Sequence, residues 1–142
     1  MTDQYESLVH RWFEEVWNKG RAEAIDEMFA SDGIAHGLTD EQGKELVGPE
    51  GYKPFFQNFR SAFPDINIVV ADTVSEGDKI AARCIVTGRH QGHGLGLDPT
   101  GNRVEFTGMT IVRVRDGKIV EAWNNFDFTA MFDQVGFRPA NK

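Results

Sequence analysis

The chain has a single cysteine in 142 residues, so no disulfide can form within it. Cys84 lies in a largely apolar run and is expected to be a buried small hydrophobe rather than a nucleophile. Lys and Arg number 15 against 22 acidic residues, the formal charge is -7, and no basic cluster occurs. An electrostatic grip on nucleic acid or anionic lipid is thereby excluded. No apolar run approaches the roughly 20 residues of a membrane span. The start, Met1 to Glu6, is polar and acidic, unlike a signal peptide, so a soluble cytoplasmic protein is expected. Only four serines are present (Ser7, Ser31, Ser61, Ser75), and none sits in a Gly-x-Ser-x-Gly elbow. Gly92, Gly94 and Gly96 are followed by a strand pattern and by no Gly-Lys-Ser/Thr, which rules out a phosphate-binding loop. A mobile cover over a pocket suits that glycine-rich stretch better. No repeat or linker interrupts the chain, and residues 1–142 read as one domain.

Against these absences stand 11 phenylalanines within a 40% hydrophobic composition, enough to line an apolar cavity as well as fill a core. The first half reads as helices. Tyr5, Leu8, Val9, Trp12, Phe13, Val16 and Trp17 keep an i, i+3, i+4 rhythm that Gly20 ends. A short second helix carries Ile25, Met28 and Phe29, with Asp32-Gly33 as its breaker and Ile34-Ala35-His36 as a short strand. Thr39 to Gly48 reads as a loop. A third helix presents Tyr52, Phe55, Phe56, Phe59 and Phe63; Pro49 suits its first turn, Pro54 predicts a late start or a kink, and Pro64 closes it.

The second half reads as strands: Ile66 to Ser75, Lys79 to Thr87, Val104 to Arg115 and Lys118 to Phe126. Asp116-Gly117 is a strong hairpin signal. Helices followed by a strand meander predict an α+β fold, with three N-terminal helices on a strongly curved, mostly antiparallel sheet and a short C-terminal helix. Such a cone can hold a small apolar ligand. Apolar residues fall on both parities of the Lys79 to Thr87 strand, so the far sheet face is expected to be covered by a second copy in a homodimer.

Asp127 closes Trp123-Asn124-Asn125-Phe126-Asp127-Phe128, one carboxylate and two amides among three aromatic residues. Aromatic walls raise a carboxyl pKa and suit it to proton transfer. Equally, Asp127 precedes Phe128, Met131, Phe132 and Val135 at helical spacing, the place of an N-cap. Both roles stay open. His36 could line the cavity mouth or be an ordinary loop histidine, and His90 ends a strand. A metal reading would combine His36, His90, His93 and Asp127, but His-Gln-Gly-His lacks helical i, i+4 spacing, and no metal is expected.

The motifs Val16-Trp17-Asn18-Lys19-Gly20, Phe63-Pro64-Asp65, Glu76-Gly77-Asp78-Lys79, Gly88-Arg89-His90-Gln91-Gly92, Pro99-Thr100-Gly101 and Gly117-Lys118-Ile119-Val120-Glu121, with His36, Trp123 and Asp127, follow one another along nearly the whole chain. Together they resemble the SnoaL-like polyketide cyclases of the nuclear-transport-factor-2-like superfamily. The resemblance implies a cone-shaped barrel, a homo-oligomer, and an acid/base Asp in the last strand that closes a ring by intramolecular aldol chemistry without cofactor or metal. Asp127 stands at that position. Such cyclases tend to carry a His two residues earlier, where this chain has Asn125, which can orient a carbonyl but cannot titrate. The expected enzyme removes a proton α to a carbonyl with Asp127. His36, Asn125 and His90 assist it, and Trp123, Phe55, Phe59 and Met109 wall the cavity. An epoxide hydrolase or ketosteroid isomerase type is the alternative, with Arg83 the arginine a hydrolase would use. A non-catalytic ligand-binding protein is the third.

Overall fold

The computed structural model describes residues 2–136, with side chains from residue 6 onward; the Tyr5 side chain of the first apolar stripe lies outside the described residues. Helix α1 (Thr2–Arg11) runs without a break into a π-helical segment, Trp12–Asn18. The wider π turn places Trp12, Phe13, Val16 and Trp17 all inward. Gly20, at φ +72°, ends it as expected, since that backbone region is open chiefly to glycine. Helix α2 (Ala22–Met28) is shorter than the pattern predicted. Its expected breaker, Asp32-Gly33, lies inside strand β1 (Phe29–Thr39), which extends the three-residue strand of the sequence reading. The segment read as a loop contains a short strand, β2 (Glu45–Val47), paired antiparallel with β1. Helix α3 (Gly48–Ala62) does not start late: it begins at Gly48 and runs through Pro54.

Strands β3 (Asn67–Glu76), β4 (Lys79–Arg89), β5 (Arg103–Arg115) and β6 (Lys118–Phe126) follow, then helix α4 (Phe128–Gln134). The six strands form one sheet in the order β2-β1-β6-β5-β4-β3. It is mixed: β1 and β6 are parallel, and every other neighbouring pair is antiparallel. The β5–β6 turn holds Asp116 at φ 54° and Gly117 at φ 76°, the backbone that a two-residue hairpin requires. Bulges in β1, in β3 and between β5 and β6 bend the sheet around the helices.

The core fills the concave side. Cys84 is fully buried there, and burial pushes its thiol up to about 12, which makes it inert. Asn18, from the first of the sequence motifs, completes the edge of β3. Its Oδ1 accepts from the Ile68 N–H at 2.6 Å and its Nδ2 donates to the Ile68 carbonyl at 3.0 Å. One side-chain amide thus stands in for a neighbouring strand on an otherwise open edge.

Candidate active site

Side chains alternate across a strand, so strand parity decides what the cone contains. On β5 the even residues Val104, Phe106, Thr110, Val112 and Val114 point inward and are buried. Register places Thr110 opposite Asn124, Val112 opposite Ala122 and Gly108 opposite Phe126 on β6. Gly108 is needed there because a Cβ would lie 2.7 Å from Cε2 of the Phe126 ring and closer still to Cδ2 and Cγ. Without a side chain at 108, the Phe126 ring lies across the sheet and forms part of the cavity wall.

The cavity is walled by Trp12, Phe13 and Trp17 of the π segment, Tyr52, Phe55 and Phe59 of α3, Phe106, Phe126 and Phe128, with aliphatic side chains between them. It offers about 720 Å³ of space between atoms counting its open mouth, of which the centre of a water molecule can occupy about 60 Å³. The space is therefore narrow, and any ligand larger than a few atoms must part the rings. Its polar groups are few. Trp17 Nε1 donates to Tyr52 Oη at 3.3 Å, and burial raises the Tyr52 pKa. The Thr110 hydroxyl is buried and has no hydrogen-bond partner among the described residues. Asn124 Nδ2 donates to the His36 carbonyl at 2.9 Å. Among the described residues, no carboxylate, imidazole, ammonium or guanidinium group lines the cavity.

Of the nine site residues expected from sequence, Phe55 and Phe59 line the cavity. The others do not. Trp123, Asn125 and Met109 occupy the outward parity of β6 and β5, and Met109 is half exposed. Trp123 stacks on His36 at 5.6 Å between centroids, with Lys79 and Arg113 over its ring. His36 also faces outward. Its Nδ1 lies 2.5 Å from Glu45 Oε2 and its Nε2 lies 2.7 Å from Glu121 Oε2. Carboxylates accept, so both nitrogens donate and the ring is held as imidazolium. Glu45 first and Glu121 second raise its pKa. Arg83 pairs with Asp72 at 3.3 Å on the same outer face, away from any hydrolase-type constellation in the cone.

His90 is fully buried at the neck of the glycine-rich loop rather than in the cavity. Its Nδ1 accepts from the Thr100 N–H at 3.3 Å, and burial is the first cause that lowers its pKa, His93 the second. Asp127 is exposed, so the expected aromatic enclosure of its carboxylate is corrected. Its Oδ1 accepts from the Ala130 N–H at 3.0 Å, which caps α4. In chain order it stands between two wall residues, Phe126 and Phe128. Thr110, Asn124, Tyr52 and the two tryptophans were missed. The even-residue apolar alternation of β5, continued through Thr110, was the available signal.

Residues 7–135 match the SnoaL-like polyketide cyclase family. The chain belongs to that family. It is 26% identical over 130 residues to the aklanonic acid methyl ester cyclase of Streptomyces peucetius, covering 91% of this chain and 88% of that one. With the nogalonic acid methyl ester cyclase of Streptomyces nogalater it shares 27% over 121 residues, 84% and 89% of the two chains. The solved structure of IdmH from Streptomyces antibioticus, a proposed polyketide cyclase, matches with a TM-score of 0.81 at 33% identity over 94% of this chain and 99% of that one. A Catenulispora acidiphila protein of ketosteroid isomerase-like fold matches with a TM-score of 0.76 at 16% identity, covering 95% and 96%, a likeness of fold alone. The SnoaL-like chain thus has the nuclear-transport-factor-2-like cone and, within it, an aromatic-walled cavity. Among the described residues no helix is long and apolar enough to cross a membrane, and no three His, Cys, Asp or Glu side chains converge as metal ligands would.

Proposed function

We propose that this SnoaL-like protein is a cofactor-free cyclase that acts on a small, uncharged, polyketide-like carbonyl compound held in the cone. The cavity carries this reading: an aromatic-walled space with a few hydrogen-bonding groups and no fixed charge among the described lining residues suits a flat neutral ketone or ester. The cyclases of Streptomyces peucetius and Streptomyces nogalater that it resembles are named for methyl esters, in which a carboxylate charge is masked. Ring closure requires a base to take a proton α to one carbonyl. The resulting carbanion forms a C–C bond to a second carbonyl carbon, whose oxygen then takes the proton. Substrate and product are isomers, and no oxidant is consumed.

Asp127 is the base we assign. To act it must release the Ala130 N–H, and an N-cap bond is worth about 1 kcal/mol, a factor of about five in population. That is small beside the roughly 8 kcal/mol or more by which enzymes lower barriers, so capping does not bar catalysis. Its chain neighbours Phe126 and Phe128 both line the cavity, which supports the assignment. A second reading is a non-catalytic ligand-binding protein, favoured by the exposed, capping Asp127 and the absence of an acid or base among the described lining residues. We also assign the outer sheet face to a homodimer contact, supported by the exposed Val69, Val74, Met109 and Ile111 there.

The test is incubation with aklanonic acid methyl ester and with nogalonic acid methyl ester, following the appearance of an isomer of unchanged mass. Asp127→Asn keeps the cap but cannot shuttle a proton. Turnover by the wild type and at least a hundredfold loss in Asp127→Asn supports the cyclase. Tight binding of either ester without turnover supports the carrier.

A further inference from the structure

We propose that the glycine-rich loop between β4 and β5 is a strap fastened by an uncharged His90, and that protonation of His90 in acid releases it. The proposal is independent of what the cavity binds. Residues 91–101 hold no strand or helix, only an isolated bridge between Gly94 and Leu97. The outgoing leg of the loop lies on the last turns of α3. The Gln91 and Gly92 N–H groups donate to the Ala62 carbonyl, both at 3.2 Å, and the Leu95 N–H donates to Asn58 Oδ1 at 3.0 Å. A Cβ at Gly92 would meet the Ser61 carbonyl, and one at Gly94 would lie 2.9 Å from Ala62 N and nearer still to the Asn58 carbonyl. Both positions need glycine because the loop backbone rests directly on the helix.

The returning leg is held at His90. The Gly101 N–H donates to the His90 carbonyl at 2.7 Å, and the His90 N–H donates to the Asn102 carbonyl at 2.8 Å. Thr100 addresses the ring itself. Its backbone N–H donates to His90 Nδ1 at 3.3 Å. Its hydroxyl lies 3.0 Å from the same nitrogen while accepting from the Asn102 N–H at 3.2 Å. A backbone N–H can only donate, so Nδ1 must present a lone pair. The neutral ring therefore carries its proton on Nε2, which is buried and has no hydrogen-bond partner among the described residues. The side chain is fully buried, with the Phe63 ring 5.5 Å away between centroids.

This setting has no place for a charged ring. A proton on Nδ1 would face the Thr100 N–H; the hydroxyl could turn to accept it, but the backbone donor could not. A buried cation also needs acceptors or water around it. The charged groups of the surrounding elements are engaged elsewhere. His93 of the loop pairs with Asp98 at 3.6 Å, and Arg89 of β4 donates through Nη1 to the Gly101 carbonyl at 3.0 Å. Asp65, after α3, accepts from the Arg89 N–H at 2.8 Å, and Arg60 in the last turn of α3 donates to the Trp17 carbonyl at 2.9 Å. Arg103 of β5 pairs with Glu105 at 3.3 Å. None of these carboxylates offsets a charge on His90; burial first and His93 second hold its pKa below the ordinary value. Opening the loop hydrates the ring, which then takes a proton near its ordinary value of about 6.5. The open form binds more protons than the closed form, so falling pH favours opening. Thr100 is exposed, so its N–H passes to water as the strap lifts.

The experiment uses the whole protein. The His90 ring is titrated by proton–carbon NMR from pH 7.5 to 4.5, and amide exchange is followed over the same range, corrected for the intrinsic pH dependence of exchange. His90 is expected to titrate below its ordinary value. Protection of the Leu95, Thr100 and Gly101 amides should fall at least fivefold between pH 7 and pH 5, while core amides of β4 and β5 stay within twofold. In His90→Asn, Oδ1 can accept from the Thr100 N–H in place of Nδ1 but takes no proton. Its loop should be protected as in wild type at pH 7 and stay so at pH 5. His93→Gln should keep the wild-type fall. A fall that persists in His90→Asn, or one that disappears in His93→Gln, overturns the proposal. The wild-type titration decides without any variant: a ring that becomes charged while loop protection stays flat overturns it, and so does loss of protection in the core amides in step with the loop, which is ordinary acid unfolding.

Discussion

Gly108→Ala adds one methyl group at the point where β5 and the Phe126 ring meet. The new carbon would sit 2.7 Å from Phe126 Cε2, against the 3.4 Å at which ordinary van der Waals contact begins, a shortfall of 0.7 Å there and more at Cδ2 and Cγ. Cγ is the root of the ring, so swinging the ring tip does not relieve the clash. The whole ring must rotate at χ1 or the strands must part. Overpacking of this kind costs about 1–3 kcal/mol. Replacing glycine by alanine in a strand returns about 0.5–1 kcal/mol of backbone entropy, and φ at Gly108 is not in the positive region that would penalise alanine. The net expectation is destabilisation by about 0.5–2 kcal/mol, or a fall of about 2–6 °C in the melting temperature. Because Phe126 also walls the cavity, the displaced ring should change its volume, and aromatic probes should lose affinity by tenfold or more. A double-mutant cycle with Phe126→Ala isolates the contact. In the Phe126→Ala background the methyl group has room, so Gly108→Ala should be neutral or stabilising, measured by thermal and urea unfolding. Additive effects of the two substitutions, or a Gly108→Ala variant as stable as wild type with unchanged probe binding, would refute the packing described here.

Asp127→Ala should lower stability by about 1 kcal/mol through loss of the α4 cap, whereas Asp127→Asn should stay within about 0.5 kcal/mol, both read by urea unfolding. His36 has a raised pKa in the fold, so its contribution is fully present below its unfolded value of about 6.5 and is lost as pH rises through the folded value. Stability should therefore decline above neutrality, and His36→Gln should flatten that limb in a series of melts from pH 6 to 9. Ile111→Lys places a charge at the middle of the outer sheet face. Light scattering should report a dimer for wild type and a monomer for the variant, while a monomeric wild type at micromolar concentration would remove the assigned interface.

Element types followed closely from the sequence because the patterns were local. The strand meander, the Asp116-Gly117 hairpin and the aromatic stripe of α3 were all legible. Strand β1 was not, because Asp32 and Gly33 are poor strand formers and its length is set by pairing with β6 and β2, which are distant in sequence. The inward face of β6 was misread for a specific reason. Arg113 pairs with Glu121 and Val114 with Ile119, which leaves Val120 as an extra residue on β6. Ile119 and Ala122 are consequently both buried although three residues apart. An alternation begun at Ile119 arrives at Glu121, Trp123 and Asn125, which face outward. Counted beyond the bulge, it arrives at Ala122, Asn124 and Phe126, which face the cavity. The resemblance compounded this by directing attention to Asp127, which lies just beyond β6 and caps the start of α4.

The claim at the centre is that the aromatic-walled cone, and not the His36–Trp123 cluster on the outer face, receives a neutral carbonyl compound. The most direct measurement is a crystal structure of the protein with aklanonic acid methyl ester. Density is expected between Phe59 and Phe106, with Phe55 and Phe128 displaced and a ligand oxygen within about 3 Å of Thr110 Oγ1. Density beside His36 and Trp123 with an unaltered cone, or a cone holding only water at saturating ester, would contradict it.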